Sequence, residues 1–186
     1  MKKLTALALM GALSSFTHYS FAADGMITFN GKIVDQTCEV ENGSKNLTVK
    51  LPTVSKSSLK SNSNTAGETP FTISLVKCKA SNPNTGQTVR LFFFNPATNA
   101  VDVGRGILNN TDTSNQKASN VGIQILDSTL TNSIPLGKPI EQYTSGTDKV
   151  ALSANVALHY WARYYATGQA TPGNVKATVQ YNIAYD

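Results

Sequence analysis

Apolar and polar residues alternate with a period of two along most of this chain, and helical spacing is nearly absent. The clearest case is the C-terminal segment. Gly173, Val175, Ala177, Val179, Tyr181, Ile183 and Tyr185 fall on one face, while Asn174, Lys176, Thr178, Gln180, Asn182, Ala184 and Asp186 fall on the other. A strand of this kind buries its first face against a core and wets the second. It also runs to the last residue, and chain ends fray unless a partner holds them. Near the opposite end, Ile27, Phe29, Gly31 and Ile33 alternate with Thr28, Asn30 and Lys32.

Between the ends the same periodicity predicts strands over 47–51, 71–76, 88–94, 121–127 and 156–165. Residues 55–69 and 109–120, rich in Ser, Asn and Thr, read as loops. Residues 81–86 and 168–173 read as turns, and Ile134-Pro135-Leu136 as a sheet edge or a bend, because Pro lacks a ladder donor. No repeat and no linker divides this region, so one all-β domain is expected.

Composition adds the compartment. Lys2 and Lys3 head an apolar run over 4–13, and Ser20-Phe21-Ala22 places small residues before a cut at Ala23, so residues 1–22 read as a removable export signal. Removing Lys2 and Lys3 lowers the formal charge from +5 to +3, with 14 basic residues facing 11 acidic ones. No basic stripe remains, which argues against a nucleic-acid partner. Cys38 and Cys78 would meet an oxidising compartment, where a disulfide is the expected outcome. A cysteine nucleophile is the weaker reading, since neither has a nearby His.

Candidate chemistry is sparse. His159 is the one histidine beyond the leader, and with two cysteines it cannot complete a four-ligand His/Cys zinc site. No nucleophile motif accompanies it, so no enzyme and no cofactor are expected. Tyr160, Trp161, Tyr164 and Tyr165 suggest a sugar-stacking platform at first sight, but aromatic residues on a strand pack equally well in a core or an interface.

Four segments in order carry a family resemblance: residues 25–38, alternating through Gly31 to Cys38; residues 120–127, Asn-Val-Gly-Ile-Gln-Ile-Leu-Asp; residues 162–173, ending Thr-Pro-Gly; and a penultimate Tyr185 with Gly173 fourteenth from the end. Together they resemble chaperone–usher pathway pilins, and the major shaft subunits of type 1 fimbriae among them. The resemblance implies an incomplete immunoglobulin-like β-sandwich that lacks its last strand and is completed by donor-strand exchange. Residues 23–34 would be the N-terminal donor extension and residues 35–186 the pilin domain. Ile27, Phe29 and Ile33 would insert into a neighbour, with Gly31 where the family's groove admits only hydrogen. Gly173, Val175, Ala177, Val179, Tyr181, Ile183 and Tyr185 would form a groove wall and the strand recognised by a periplasmic pilus chaperone.

The implied partners are neighbouring copies in a homopolymer, that chaperone, an outer-membrane usher and a tip adhesin. The implied destination is a fimbria outside a Gram-negative cell, reached through the periplasm, and the implied role is structural, in adhesion and biofilm formation. A minor or adaptor subunit is the nearest alternative, and a secreted sugar-binding β-sandwich adhesin the more distant one.

Overall fold

A computed structural model describes residues 26–28, 31, 33, 37–79, 86–143 and 148–186. Residues 1–22, read as an export signal, and Phe29 lie outside the described residues. The chain divides into two units, 1–33 and 34–186. In the first, Met26, Ile27 and Ile33 are exposed.

Among the described residues of the second unit, nine strands build two sheets. They are β1 (Thr37–Val40), β2 (Thr65–Lys79), β3 (Thr88–Phe94), β4 (Val101–Asp102), β5 (Ile107–Asn109), β6 (Val121–Leu126), β7 (Val150–Ala151), β8 (Val156–Ala166) and β9 (Gln180–Tyr185). The larger sheet runs β1-β2-β8-β6-β5-β4, and the smaller runs β7-β3-β9. Every named pairing is antiparallel. Between β1 and β2 lies a single helical turn, α1 (Asn42–Lys45).

Alternation explains how the sheets meet. On β8, Val156, Leu158, Tyr160 and Ala162 point inward, while Ala157 and His159 are exposed. They meet Val89, Leu91 and Phe93 of β3 in the main core. Tyr160 stands edge-on to Phe93 with ring centres 5.0 Å apart, and its hydroxyl accepts the Leu91 N–H at 3.2 Å. A buried phenol is thereby satisfied.

β6 is the one strand buried along its whole length, so its small residue has a steric cause. A Cβ at Gly122 would stand 2.5 Å from the Leu108 carbonyl oxygen and 3.0 Å from Ile107 Cδ1. The first of these is backbone held in the β5–β6 ladder and cannot swing away. Gly122→Ala should cost about 1–3 kcal/mol through overpacking. A thermal melt checks this, with a midpoint lower by about 2–4 °C per kcal/mol; an unchanged midpoint would contradict it.

Cys38 and Cys78 form a disulfide that joins β1 to β2. The chain's last residues are tied down as well. Arg90, 5% exposed, lies with Nε 3.2 Å from the Asp186 carboxylate and donates to the Tyr143 carbonyl at 3.1 Å. Lys149 Nζ adds a second cation 3.3 Å from Asp186.

Three expectations differ from the structure. Residues 65–69, read as loop, belong to β2, because Tyr164 and Tyr165 of β8 extend the ladder to Ala66 and Thr65. Pro70 sits within that strand and is tolerated because β1 reaches only to Leu75, leaving the other edge free there. Residues 47–51, read as a strand, form no ladder, and the C-terminal strand is laddered only from Gln180 onward.

Candidate functional site

The two segments left without a ladder face each other across an open cleft of about 620 Å³. One lip is residues 45–51 and the other is residues 175–179 with Tyr181. Phe71, Ile73, Phe93, Ile123, Ile125 and Tyr164 lie between them, so the main core itself forms the floor. An opening of this size onto core side chains makes the cleft the candidate binding surface.

Hydrogen bonding sharpens the picture. In an extended chain the peptide groups of successive residues point to opposite edges. Along the second lip the outward groups are engaged. Thr111 N–H donates to the Lys176 carbonyl at 2.7 Å, Ala118 N–H to the Asn174 carbonyl at 2.9 Å, and Asn95 Nδ2 to the Thr178 carbonyl at 2.8 Å. The peptide groups of Val175, Ala177 and Val179 have no partner among the described residues. The same holds for residues 47–51. Two rows of unpaired N–H and C=O groups therefore flank an apolar floor, with the spacing of side chains on both lips set by Leu47, Val49 and Leu51 and by Val175, Ala177 and Val179.

The cleft's electrostatics are simple. Its charged lining residues are Lys45, Lys50 and Lys176. Burial raises the Tyr164 and Tyr181 phenols above their usual value, which keeps both neutral and protonated. Tyr181 hydroxyl donates to the Ser44 carbonyl at 2.8 Å, and Tyr185 hydroxyl accepts the Cys38 N–H at 2.7 Å. These two phenols tie β9 to α1 and β1, the elements that precede the opposite lip. Burial also raises the Tyr185 phenol, while the Cys38 bond lowers it.

The structure brings together four of the seven C-terminal positions singled out in the sequence: Val175, Ala177, Val179 and Tyr181 line the cleft. Ile183 and Tyr185 share their face but lie beyond it, within β9 and against the core. Gly173 sits at the head of the lip with φ +152°, where a Cβ would collide with the backbone of Gln116, Lys117 and Ala118. Ile27 is 79% exposed and Ile33 is wholly so. Nothing lies within 4 Å of the Cβ position of Gly31 among the described residues. The lip at 45–51 was missed as a wall, although its Leu-Thr-Val-Lys-Leu alternation is visible in the sequence.

Elsewhere, His159 is exposed on β8 with Nδ1 2.9 Å from the Thr72 hydroxyl. Among the described residues no group of three His, Cys, Asp or Glu side chains could hold a metal.

The fimbrial protein family matches residues 27–186, which include both lips, the floor and the exposed Ile27 and Ile33. The chain belongs to the fimbrial protein family. It is 47% identical over 180 residues to the F17 fimbrial protein of Escherichia coli, covering 96% of each chain. It is 41% identical over 169 residues to the major fimbrial subunit SMF-1 of Stenotrophomonas maltophilia, covering 89% of this chain and 94% of that one. Its fold is similar to that of a chaperone–usher pilus subunit, with a TM-score of 0.59 at 22% identity over 88% of this chain and 96% of the other. The fold is thus the immunoglobulin-like sandwich of pilins, and the chain is a structural fimbrial subunit, one of many that polymerise into a pilus outside a Gram-negative cell.

Proposed function

We propose that this fimbrial subunit polymerises by donor-strand exchange, with residues 23–34 of one copy entering the cleft of the next. One observation carries the reading: two lips with unpaired peptide groups flank a floor made of core side chains. An extended segment with apolar residues at every second position satisfies both demands, hydrogen-bonding to each lip while its side chains fill the floor. Ile27, Phe29 and Ile33 supply those side chains, and Gly31 passes where the fit admits no Cβ. Val175, Ala177, Val179 and Tyr181 receive them, and the strand from Gly173 through Ile183 to Tyr185 is the stretch a periplasmic pilus chaperone engages before exchange.

In this reading residues 1–22 direct export into the periplasm, an outer-membrane usher catalyses the hand-over, and residues 35–186 form the pilin domain. The partners are other copies of this chain, with a tip adhesin at the distal end. The subunit carries out no catalysis and needs no cofactor; the resulting fibre serves adhesion and biofilm formation.

The test compares the mature chain with a form lacking residues 23–34. The full form should run as an SDS-resistant ladder and the truncated form as a monomer. A full form that is monomeric and stable by itself would contradict the proposal.

A further inference from the structure

The lip at 174–178 must stay extended without a neighbouring strand on its inner edge, and one side chain on its outer edge does what a strand would do. Asn110 is 9% exposed, and its carboxamide makes four hydrogen bonds. Nδ2 donates to the carbonyls of Asn174 and Ala118, each at 2.8 Å. Oδ1 accepts the N–H of Lys176 and the N–H of Asp112, each at 3.0 Å. Two donors and two lone pairs are all that an amide side chain has, so its capacity is full.

The pattern matters more than the number. In a parallel ladder, a residue donates to the carbonyl before its opposite number and accepts from the N–H after it. Asn110 bonds in this way to the carbonyl of Asn174 and the N–H of Lys176, on either side of Val175. Its carboxamide has the shape and polarity of a peptide group. Lys117 continues the arrangement through a parallel bridge to Asn174.

We propose that Asn110 is a positioning residue for strand uptake: its side chain acts as a one-residue surrogate strand that holds the lip extended with Val175 aimed into the cleft. This rests on the strand-exchange reading above. A lip already in β conformation has less freedom to lose when the incoming strand pairs with it, so uptake is faster. Asn95, bonded to the Thr178 carbonyl, supports the same edge further along.

The test uses the full chain, refolded with its disulfide intact, and an excess of a fluorescent peptide of residues 23–36. Wild type and Thr129→Ala, a change in a turn away from the cleft, should capture the peptide at one rate. Asn110→Ala should capture it about tenfold more slowly, as expected for the loss of positioned hydrogen bonds. Its peptide-filled form should melt near wild type, because the captured strand then holds the lip.

Should Asn110→Ala fail to fold, hydrogen exchange on the wild type still decides. Before peptide is added, the Lys176 amide, whose one partner is Asn110, should be protected while that of Ala177 exchanges freely; capture should then protect Ala177. Equal exchange of Lys176 and Ala177 before capture, or unchanged uptake by Asn110→Ala, would overturn the role of Asn110 alone. A wild-type chain that takes up no peptide would overturn the strand-exchange reading itself.

Discussion

Replacing Gly31 with asparagine is expected to abolish fibres while leaving export and the fold of the subunit unchanged. Within a single copy the position is undemanding. Among the described residues nothing stands within 4 Å of its Cβ position, and its backbone is outside the left-handed region that favours glycine. A new side chain there costs the isolated subunit nothing. In the assembled state the same side chain would meet a floor of large residues, Phe71, Phe93 and Tyr164 among them, already packed into the main core. Overpacking of a fitted site costs about 1–3 kcal/mol, which is about a tenfold to hundredfold loss at each junction. Because a fibre multiplies that loss over every junction, long polymers should vanish. Electron microscopy of the cell surface and SDS ladders of sheared material are the measurements. Normal fibres from Gly31→Asn would show that Gly31 does not pass the narrow part of the cleft.

Removing the disulfide should have the largest effect on the subunit itself. Changing Cys38 and Cys78 to serine opens a loop with a sequence separation of 40. The chain-entropy model assigns such a loop about 4 kcal/mol. Domains of this size have only about 5–15 kcal/mol to lose, and this one also exposes part of its core through the cleft. The bond has a local function too, since β1 leads through α1 into the lip at 45–51 and, among the described strands, is paired with β2 alone. Without it, the Cys38 N–H would lose its fixed place against the Tyr185 hydroxyl and the first lip its anchor. Little soluble subunit should be recovered from the periplasm, and what is recovered should unfold at markedly lower denaturant. An unchanged denaturant midpoint would contradict this.

How much was legible depends on the kind of signal. β3 and β6 were readable as short apolar runs bounded by turn residues, and β8 from its β-branched and aromatic content over 156–165. The β4–β5 hairpin and β7 escaped because strands of two or three residues carry no period. Residues 65–69 were misread from their polar composition; tertiary pairing with Tyr164 and Tyr165 overrides it. The expectation for 47–51 was half right in an informative way. The alternation that suggests a strand is real, and Val49 and Leu51 do face the core, but among the described residues no strand lies beside it to make a ladder.

The same applies to the C-terminal segment. Its pattern is uniform from Gly173 to Tyr185, so nothing in it signals that pairing begins only at Gln180. What divides it is the end of β3 at Phe94, which pairs with Gln180 and leaves the preceding residues to loop groups such as Thr111 and Ala118 in place of a strand. Asn110 was illegible for another reason. A side chain that imitates a peptide group leaves no periodic trace, and an Asn among Asn and Thr residues reads as ordinary loop.

Cryo-electron microscopy of sheared fibres bears most directly on the claim that a copy's sandwich is finished by its neighbour. A chain running between residues 47–51 and 175–181 should be traceable to Ile27, Phe29, Gly31 and Ile33 of the adjoining subunit, hydrogen-bonded to both lips. A cleft occupied by the subunit's own residues, or left vacant in the fibre, would contradict the account.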